Sequence, residues 1–146
     1  MDQIAKLLLL HEGFRRFPYR DSLGIVTIGI GRNLVTQGVS KSEAIYLLEQ
    51  DILRARGQFQ SAFREFAQID EVRQAVLIDM AVNLGVRGLL GFRNTLRMVR
   101  AGQYTEAAGE MLKSRWATQV GARARRLAHM MESGEWPAEL ATIEEL

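Results

Sequence analysis

The sequence predicts an α+β fold, mostly α, with a short β-hairpin near the N-terminus. Over most of the 146 residues, apolar side chains recur at spacings of three and four, which is typical of amphipathic helices. Residues 17–30 contain FPYRDSLGIVTIGI, two β-prone runs around a turn. A chain of this length can bury a core as one domain, and without cysteine it must do so by packing alone.

The first helix is predicted over residues 2–11, with Gly13 as a natural stop. Spacings of three and four indicate one buried stripe, made of Ile4, Leu7, Leu8 and His11. Glu12 therefore stands at the helix end, where the carbonyls point outward and disfavour a further negative charge. Partial burial would act in the same direction and favour an acid that keeps its proton near neutrality.

The hairpin is predicted as two strands, Phe17–Tyr19 and Ile25–Ile30, joined by a turn at Asp21–Gly24. Pro18 lies inside the first strand and has no N–H to donate to a neighbouring strand. The first strand is therefore expected at a sheet edge or a bulge.

Two polar side chains of the hairpin can carry chemistry. Asp21 opens the turn, where amides that donate to its carboxylate would also hold it ionised. Thr27 is expected on the outward face of the second strand, because the alternate positions are aliphatic and should be buried. With Glu12, two carboxylates and a hydroxyl can converge, which is the minimum for splitting a glycosidic bond. Each residue also has a purely structural interpretation. Glu12 could be a solvated residue at a helix end, Asp21 an ordinary turn residue, and Thr27 a residue that strands favour.

The remaining elements are predicted as helices. Ser40–Glu43 fits a capping box that opens a helix ending near Gly57, followed by a second helix over Phe59–Phe66. Further helices are predicted over Glu71–Leu84, Arg93–Arg100, the segment after Thr105 and Ala122–Met131, with a short turn or helix at Gly88–Gly91. Ser114 is expected to close the helix after Thr105, and Trp116 to be buried as an anchor.

Three motifs occur in an order that one protein family shares. The first is Glu12, Asp21 and Thr27 followed by IGIG; the second is GFRNTLRM; the third is KSRWATQVGARARR. On these motifs the chain resembles the lysozymes of T-even bacteriophages, glycoside hydrolase family 24, over nearly its whole length, with a shorter middle. The resemblance implies a lysozyme-like fold in which 1–146 form one domain. A small β lobe, about residues 12–60, would face a helical lobe, about 61–146 plus 1–11, across the active-site cleft.

The resemblance also implies an activity. It is that of a phage or prophage endolysin, a muramidase that hydrolyses the β-1,4 bond between N-acetylmuramic acid and N-acetylglucosamine in peptidoglycan with inversion. Glu12 would be the general acid, while Asp21 and Thr27 would position the attacking water. Inversion requires about 6.5–9.5 Å between the carboxyl groups.

Three further positions are interpreted through the family, and Gly31 is interpreted from its lack of a side chain. Asn83 stands where the family has a glutamine that helps to bind the sugar, and Gly31 would let the substrate approach the backbone. Arg123 stands where an arginine pairs with the catalytic glutamate; from the residues alone it could equally belong to a basic surface patch. Arg32 replaces a histidine of a stabilising charge pair, so that pair is absent or rebuilt here.

Charge is distributed unevenly although the net value is only +2. Residues 87–126 hold nine basic and two acidic side chains, which predicts a positive field. Such a field attracts nucleic acid, an acidic membrane surface or the acidic polymers of a bacterial wall. A solvated basic face that only aids solubility is the alternative.

The expected partners are peptidoglycan glycan strands, with no nucleic acid, no stable membrane insertion, no metal and no cofactor, and a monomer as the default state. No apolar run approaches the roughly 20 residues of a membrane span, and no secretory signal is recognisable. Synthesis in the bacterial cytoplasm is therefore expected, with access to periplasmic peptidoglycan through a holin lesion, as the resemblance implies. Three alternatives stay open: a lytic transglycosylase, a nucleic-acid-binding helical module and an inactive wall-binding relative.

Overall fold

The structure is a computed structural model that describes residues 1–144. These residues are mostly helical, with one three-stranded antiparallel sheet near the N-terminus, so the predicted α+β class is confirmed. The strands are β1 (Arg15–Arg20), β2 (Val26–Gly29) and β3 (Arg32–Asn33). The α-helices are α1 (Gln3–Glu12), α2 (Lys41–Ala62), α3 (Glu71–Leu84), α4 (Val86–Leu90), α5 (Arg93–Arg100), α6 (Tyr104–Leu112), α7 (Arg115–Val120) and α8 (Ala122–Ser133), with 3-10 helices at Arg64–Gln68 and Ala138–Thr142. Within this described part, no helix combines the length and the apolar character that crossing a bilayer requires.

Two compact units make up the described chain: Met1–Tyr46, and the residues from Leu47 onward. The division falls inside α2, so one continuous helix contributes to both units. The sequence placed the lobe boundary near residue 60 and assigned residues 1–11 to the helical lobe. That assignment stays a prediction.

The first unit begins with α1, as predicted. The Asp2 side chain accepts a hydrogen bond from the backbone N–H of Ala5 at 2.8 Å, and the helix ends at Gly13 with φ of 67°. The predicted buried stripe is wrong: Ile4 is 59 % exposed and Leu8 is 49 % exposed. Apolar spacing determines that a helix forms, but not what covers its apolar face.

In the sheet, β2 is central, between β1 and β3. The β1–β2 register shifts between Arg15 and Tyr19, the segment that contains Pro18. The prediction of an edge strand or a bulge at Pro18 is therefore confirmed on both counts. The strand β3 was not predicted, because two residues are too short to give an alternating pattern.

Burial along β2 differs from the prediction. Thr27 is 3 % exposed and is the one buried residue of residues 1–46, whereas Ile30 is 46 % exposed and the other aliphatic residues of the strand are half-buried. Thr27 pairs with Tyr19 on one side and Asn33 on the other, so strands flank it on both sides. Alternation along a strand separates two faces without deciding which face is covered.

The predicted capping box opens α2. The N–H of Glu43 donates to Ser40 Oγ at 3.2 Å, and the N–H of Ser40 donates to Glu43 Oε2 at 2.8 Å. The predicted helix end near Gly57 is wrong, since α2 continues to Ala62. A glycine inside a helix costs only about 1 kcal/mol, and here Phe59 stacks on Phe63 beyond it, with both rings fully buried.

The second unit contains the hydrophobic core. Its largest fully buried side chains are Phe59, Phe63, Phe66, Val76, Leu77, Met80, Leu89, Met111 and Met131. Trp116 is buried as predicted. Its ring packs edge-to-face with that of Phe92, with 6.0 Å between the two ring centroids. Ser114 does not close a helix but opens α7, because its hydroxyl accepts the N–H of Ala117 at 3.1 Å, the geometry of an N-cap.

Candidate active site

Glu12 lies at the C-terminal end of α1, exposed, with its carboxyl group directly against Gly31. A Cβ atom built on Gly31 would stand 2.7 Å from the Cδ and 2.8 Å from the Oε2 of Glu12. Gly31 also has φ of 67°, a conformation that other residues rarely adopt. Only glycine therefore permits this placement of the acid. The partial burial considered for Glu12 is not found.

Asp21 is held by the turn that it opens. Its Oδ1 accepts the backbone N–H groups of Leu23 and Ile25, both at 2.9 Å. The turn closes through the N–H of Gly24, which donates to the Asp21 carbonyl at 2.9 Å. The second oxygen, Oδ2, has no hydrogen-bond partner within residues 1–144. One oxygen thus fixes the carboxylate while the other is available.

Thr27 is joined to Asp21 through the backbone of a single residue, Ile25. The Thr27 hydroxyl donates to the carbonyl of Ile25 at 3.0 Å, while the N–H of Ile25 donates to Asp21. Because the hydroxyl proton is committed, the oxygen can act toward a further molecule only as an acceptor. Ile25 is thus the residue that links the two polar side chains, a role that the sequence did not reveal.

Arg123, at the start of α8, binds Asp79 on α3. Its Nε and Nη2 atoms both lie 2.8 Å from Asp79 Oδ1, and both side chains are about two-fifths exposed. The expectation that Asp79 is a hydrogen-bonded residue on a helix face is confirmed. The pairing of Arg123 with Glu12 stays a prediction.

Asn83, near the end of α3, is exposed, but its amide is partly engaged. Its Oδ1 accepts the indole N–H of Trp116 at 2.8 Å. This contact fixes the orientation of the amide, and no acceptor for its NH₂ group occurs among residues 1–144. The partner lies 33 residues along the chain, so no local pattern could have revealed it.

Arg32 has an acidic partner, Glu43 at the start of α2. The guanidinium also approaches the carbonyl of Gly38 at 3.4 Å. Arg32 therefore forms a charge pair with Glu43, and the fate of the family's own pair stays a prediction. The N–H and the side chain of Ser40, more than Arg32, lower the pKa of Glu43 below its ordinary value of 4.5, and desolvation opposes this.

The described residues contain no group of three or more histidine and acidic side chains placed to hold a metal ion. Glu12 at a helix end and Asp21 and Thr27 on a hairpin remain the predicted set of two carboxylates and a hydroxyl. This is the equipment of a glycosidase that works through acid–base chemistry.

Comparison with known proteins identifies the family. The family described as Phage lysozyme matches residues 10–130. Two probable T4-type lysozymes of Dictyostelium discoideum are 25 % and 26 % identical, each covering 92 % of this chain and 96 % of the relative. The pre-baseplate central spike protein Gp5 of Enterobacteria phage T4 is 25 % identical. That match covers 90 % of this chain but only 28 % of Gp5.

The chain belongs to the phage lysozyme family. It is a glycoside hydrolase, a lysozyme, and its substrate is peptidoglycan.

Proposed function

We propose that this lysozyme is an endolysin-type muramidase. It cleaves the β-1,4 bond between N-acetylmuramic acid and N-acetylglucosamine with inversion, and it serves bacterial cell lysis. The observation that carries this proposal is the link through Ile25, which binds Asp21 with its N–H and Thr27 with its carbonyl. This arrangement provides two acceptors in fixed orientation, as one bound water requires.

Asp21 and Thr27 act on the water. The free Oδ2 of Asp21 takes one proton from the water. The other O–H of the water donates a hydrogen bond to the Thr27 oxygen. The two turn amides fix the orientation of the carboxylate that acts as the base. Since these hydrogen bonds exist before substrate binds, little reorganisation accompanies the reaction.

Glu12 is the general acid that protonates the departing glycosidic oxygen. Its carboxyl group lies against Gly31 in the β2–β3 turn. Inversion requires a gap of about 6.5–9.5 Å between the carboxyl groups of Glu12 and Asp21, so that a water fits between Asp21 and the sugar. A separation of about 5–5.5 Å would instead indicate a covalent intermediate.

Asn83 and Arg123 have supporting roles in this proposal. The NH₂ group of Asn83, oriented by Trp116, donates to a sugar oxygen. Arg123 provides positive charge for Glu12, and Asp79 binds the guanidinium. Gly31 has no side chain that would obstruct the substrate next to the acid.

The physiological setting belongs to the same proposal. The protein acts as a monomer, is made in the bacterial cytoplasm, and reaches the periplasmic wall through a holin lesion. Gel filtration at assay concentration tests the monomer. Lysis timing in cells with and without a holin tests the route.

The decisive experiment replaces Glu12 with Gln. We expect Glu12→Gln to stop the clearing of outer-membrane-permeabilised bacteria without changing Tm, because the substitution removes the proton donor and keeps the shape. Mass spectrometry of wild-type products should give reducing ends, whereas anhydro ends would indicate a transglycosylase. Proton NMR of the first product should show the α anomer. A fully active Glu12→Gln variant would refute the assignment.

A further inference from the structure

A cavity of about 500 Å³ lies beside α8 in the second unit. One wall is the face of α8 that carries Arg126 and His129; the other is the segment Glu135–Glu139, which follows the helix. None of the lining residues belongs to the proposed hydrolytic set. The volume lies within the range of about 300–1,000 Å³ in which proteins bind small ligands.

Trp136 forms the apolar part of the cavity. It is 47 % exposed, whereas Trp116, the other tryptophan of the chain, is 4 % exposed. The indole N–H of Trp116 donates to Asn83, but that of Trp136 has no acceptor among the described residues. A single exposed tryptophan needs no explanation. One that borders a concave site offers a large flat contact surface and an unused donor.

The polar side chains around Trp136 include both donors and acceptors. Arg126 lies 3.4 Å from Glu139, both side chains are about half exposed, and His129 and Glu135 border the same space. Two carboxylates beside the two basic side chains disfavour a simple anion site. A neutral ligand with hydroxyl and amide groups can donate to the carboxylates and accept from the basic groups and the indole.

A pyranose ring fits this combination, because one face presents C–H groups and the edge presents hydroxyl groups. We propose that the cavity is a second glycan-binding site, which holds β-1,4-linked N-acetylhexosamine units of the wall through Trp136. The identity of the polymer rests on the proposed function, but the site does not depend on hydrolysis. Its role is retention, since a second contact to the same polymer makes rebinding intramolecular.

The first test uses the two indole N–H signals of ¹⁵N-labelled Glu12→Gln protein, titrated with the β-1,4-linked tetrasaccharide of N-acetylglucosamine. The Trp136→Phe variant assigns the signals. We expect the Trp136 signal to shift in a saturable manner. The Trp116 signal reports separately on Asn83, so a shift of that signal alone overturns the second site and leaves the proposed function intact. A shift of Trp136 alone supports the second site and counts against the role of Asn83.

The second test measures co-sedimentation with purified insoluble peptidoglycan in the Glu12→Gln background. Adding Trp136→Ala should weaken retention at least fivefold. The matched control is Leu140→Ala, because Leu140 is 50 % exposed in the adjoining 3-10 helix without lining the cavity. An unchanged Trp116 signal in both variants checks that the fold is kept. Equal retention of the two variants would overturn the proposal.

Discussion

Gly31 and Glu12 are in direct contact in a way that no other residue at position 31 would allow. The carboxyl group of Glu12 occupies the space that a Cβ atom on Gly31 would need. Sequence alone marked both positions, through the helix end and the IGIG segment, but not their contact. The placement of the proposed acid therefore depends on the absence of a side chain at position 31 in the β2–β3 turn.

Replacing Gly31 with Ala should reduce kcat by about 10- to 100-fold, because small displacements of a reacting group have effects of this size. The left-handed backbone should also cost about 1–2 kcal/mol of stability. Gly102→Ala is the matched control, since Gly102 has φ of 70° and open space around its missing Cβ. Thermal unfolding of both variants measures the cost of backbone strain, and turbidity kinetics measure the loss of activity caused by displacement of Glu12. If Gly31→Ala kept full activity, the contact with Glu12 would have no catalytic importance.

Thr27 provides the second prediction at the scale of single residues. Thr27→Ala should lower turnover about 100-fold, because the water loses one of its two preorganised partners. Thr27→Ser keeps the hydroxyl while losing the methyl group, and should retain most activity. Initial rates on purified peptidoglycan, compared at equal folded fraction, distinguish the two variants. Unchanged turnover in Thr27→Ala would mean that the hydroxyl serves only the strand.

The start of α2 shows how one element combines capping with a charge pair. Glu43 completes the capping box with Ser40 and binds Arg32 of β3, so the helix start is tied to the sheet. The local part of this arrangement was predictable, since a capping box lies within four consecutive residues. The contact with Arg32 spans eleven residues and a loop, and only the folded unit shows it.

The lowered pKa of Glu43 predicts a pH dependence of stability. A folded pKa below the unfolded value means that the carboxylate stabilises the fold above pH 4.5, and that this contribution is lost as the pH falls through the folded pKa. Glu43→Gln should therefore lower Tm by a few degrees at pH 7 and by progressively less below pH 4.5.

Thermal unfolding between pH 3 and pH 7 tests this difference. Glu49→Gln, on the exposed surface of the same helix, removes a carboxylate without touching the cap and serves as the control. A Tm difference between wild type and Glu43→Gln that does not change with pH would contradict the prediction.

At the scale of the whole molecule, the two compact units differ in how much they bury. Every buried hydrophobic residue of the described chain lies in the unit from Leu47 onward, whereas residues 1–46 contain one buried residue, the polar Thr27. Hydrophobic burial supplies most of the stability of a fold, so stability should be unevenly distributed. The unit that carries Glu12, Asp21 and Thr27 is the less buried one.

Hydrogen exchange followed by mass spectrometry should show this difference. We expect amides of β1 and β2 to exchange at least tenfold faster than those of α3 and α8, after correction for intrinsic rates. Peptides from both units in one digest provide the internal comparison. Equal protection in the two units would show that they unfold together.

The sequence by itself determined the elements whose signals are local. The capping box at Ser40, the turn at Asp21 and the proline of the edge strand each act within about four residues, and each was predicted. The order of three motifs added the family. Gly57 and Ser114 were misjudged because a glycine or a serine is compatible with both continuing and interrupting a helix, and packing decides between them.

The tertiary structure alone decided which side chains meet over long separations. Asp79 holds Arg123 across 44 residues, Trp116 orients Asn83 across 33, and the carboxyl group of Glu12 lies on Gly31. Burial of Thr27, in place of the aliphatic face of its strand, was likewise decided by its position in the central strand. The physical reason is common to all four: local sequence sets the conformation of a segment, whereas its partners depend on the packing of segments far apart in the chain.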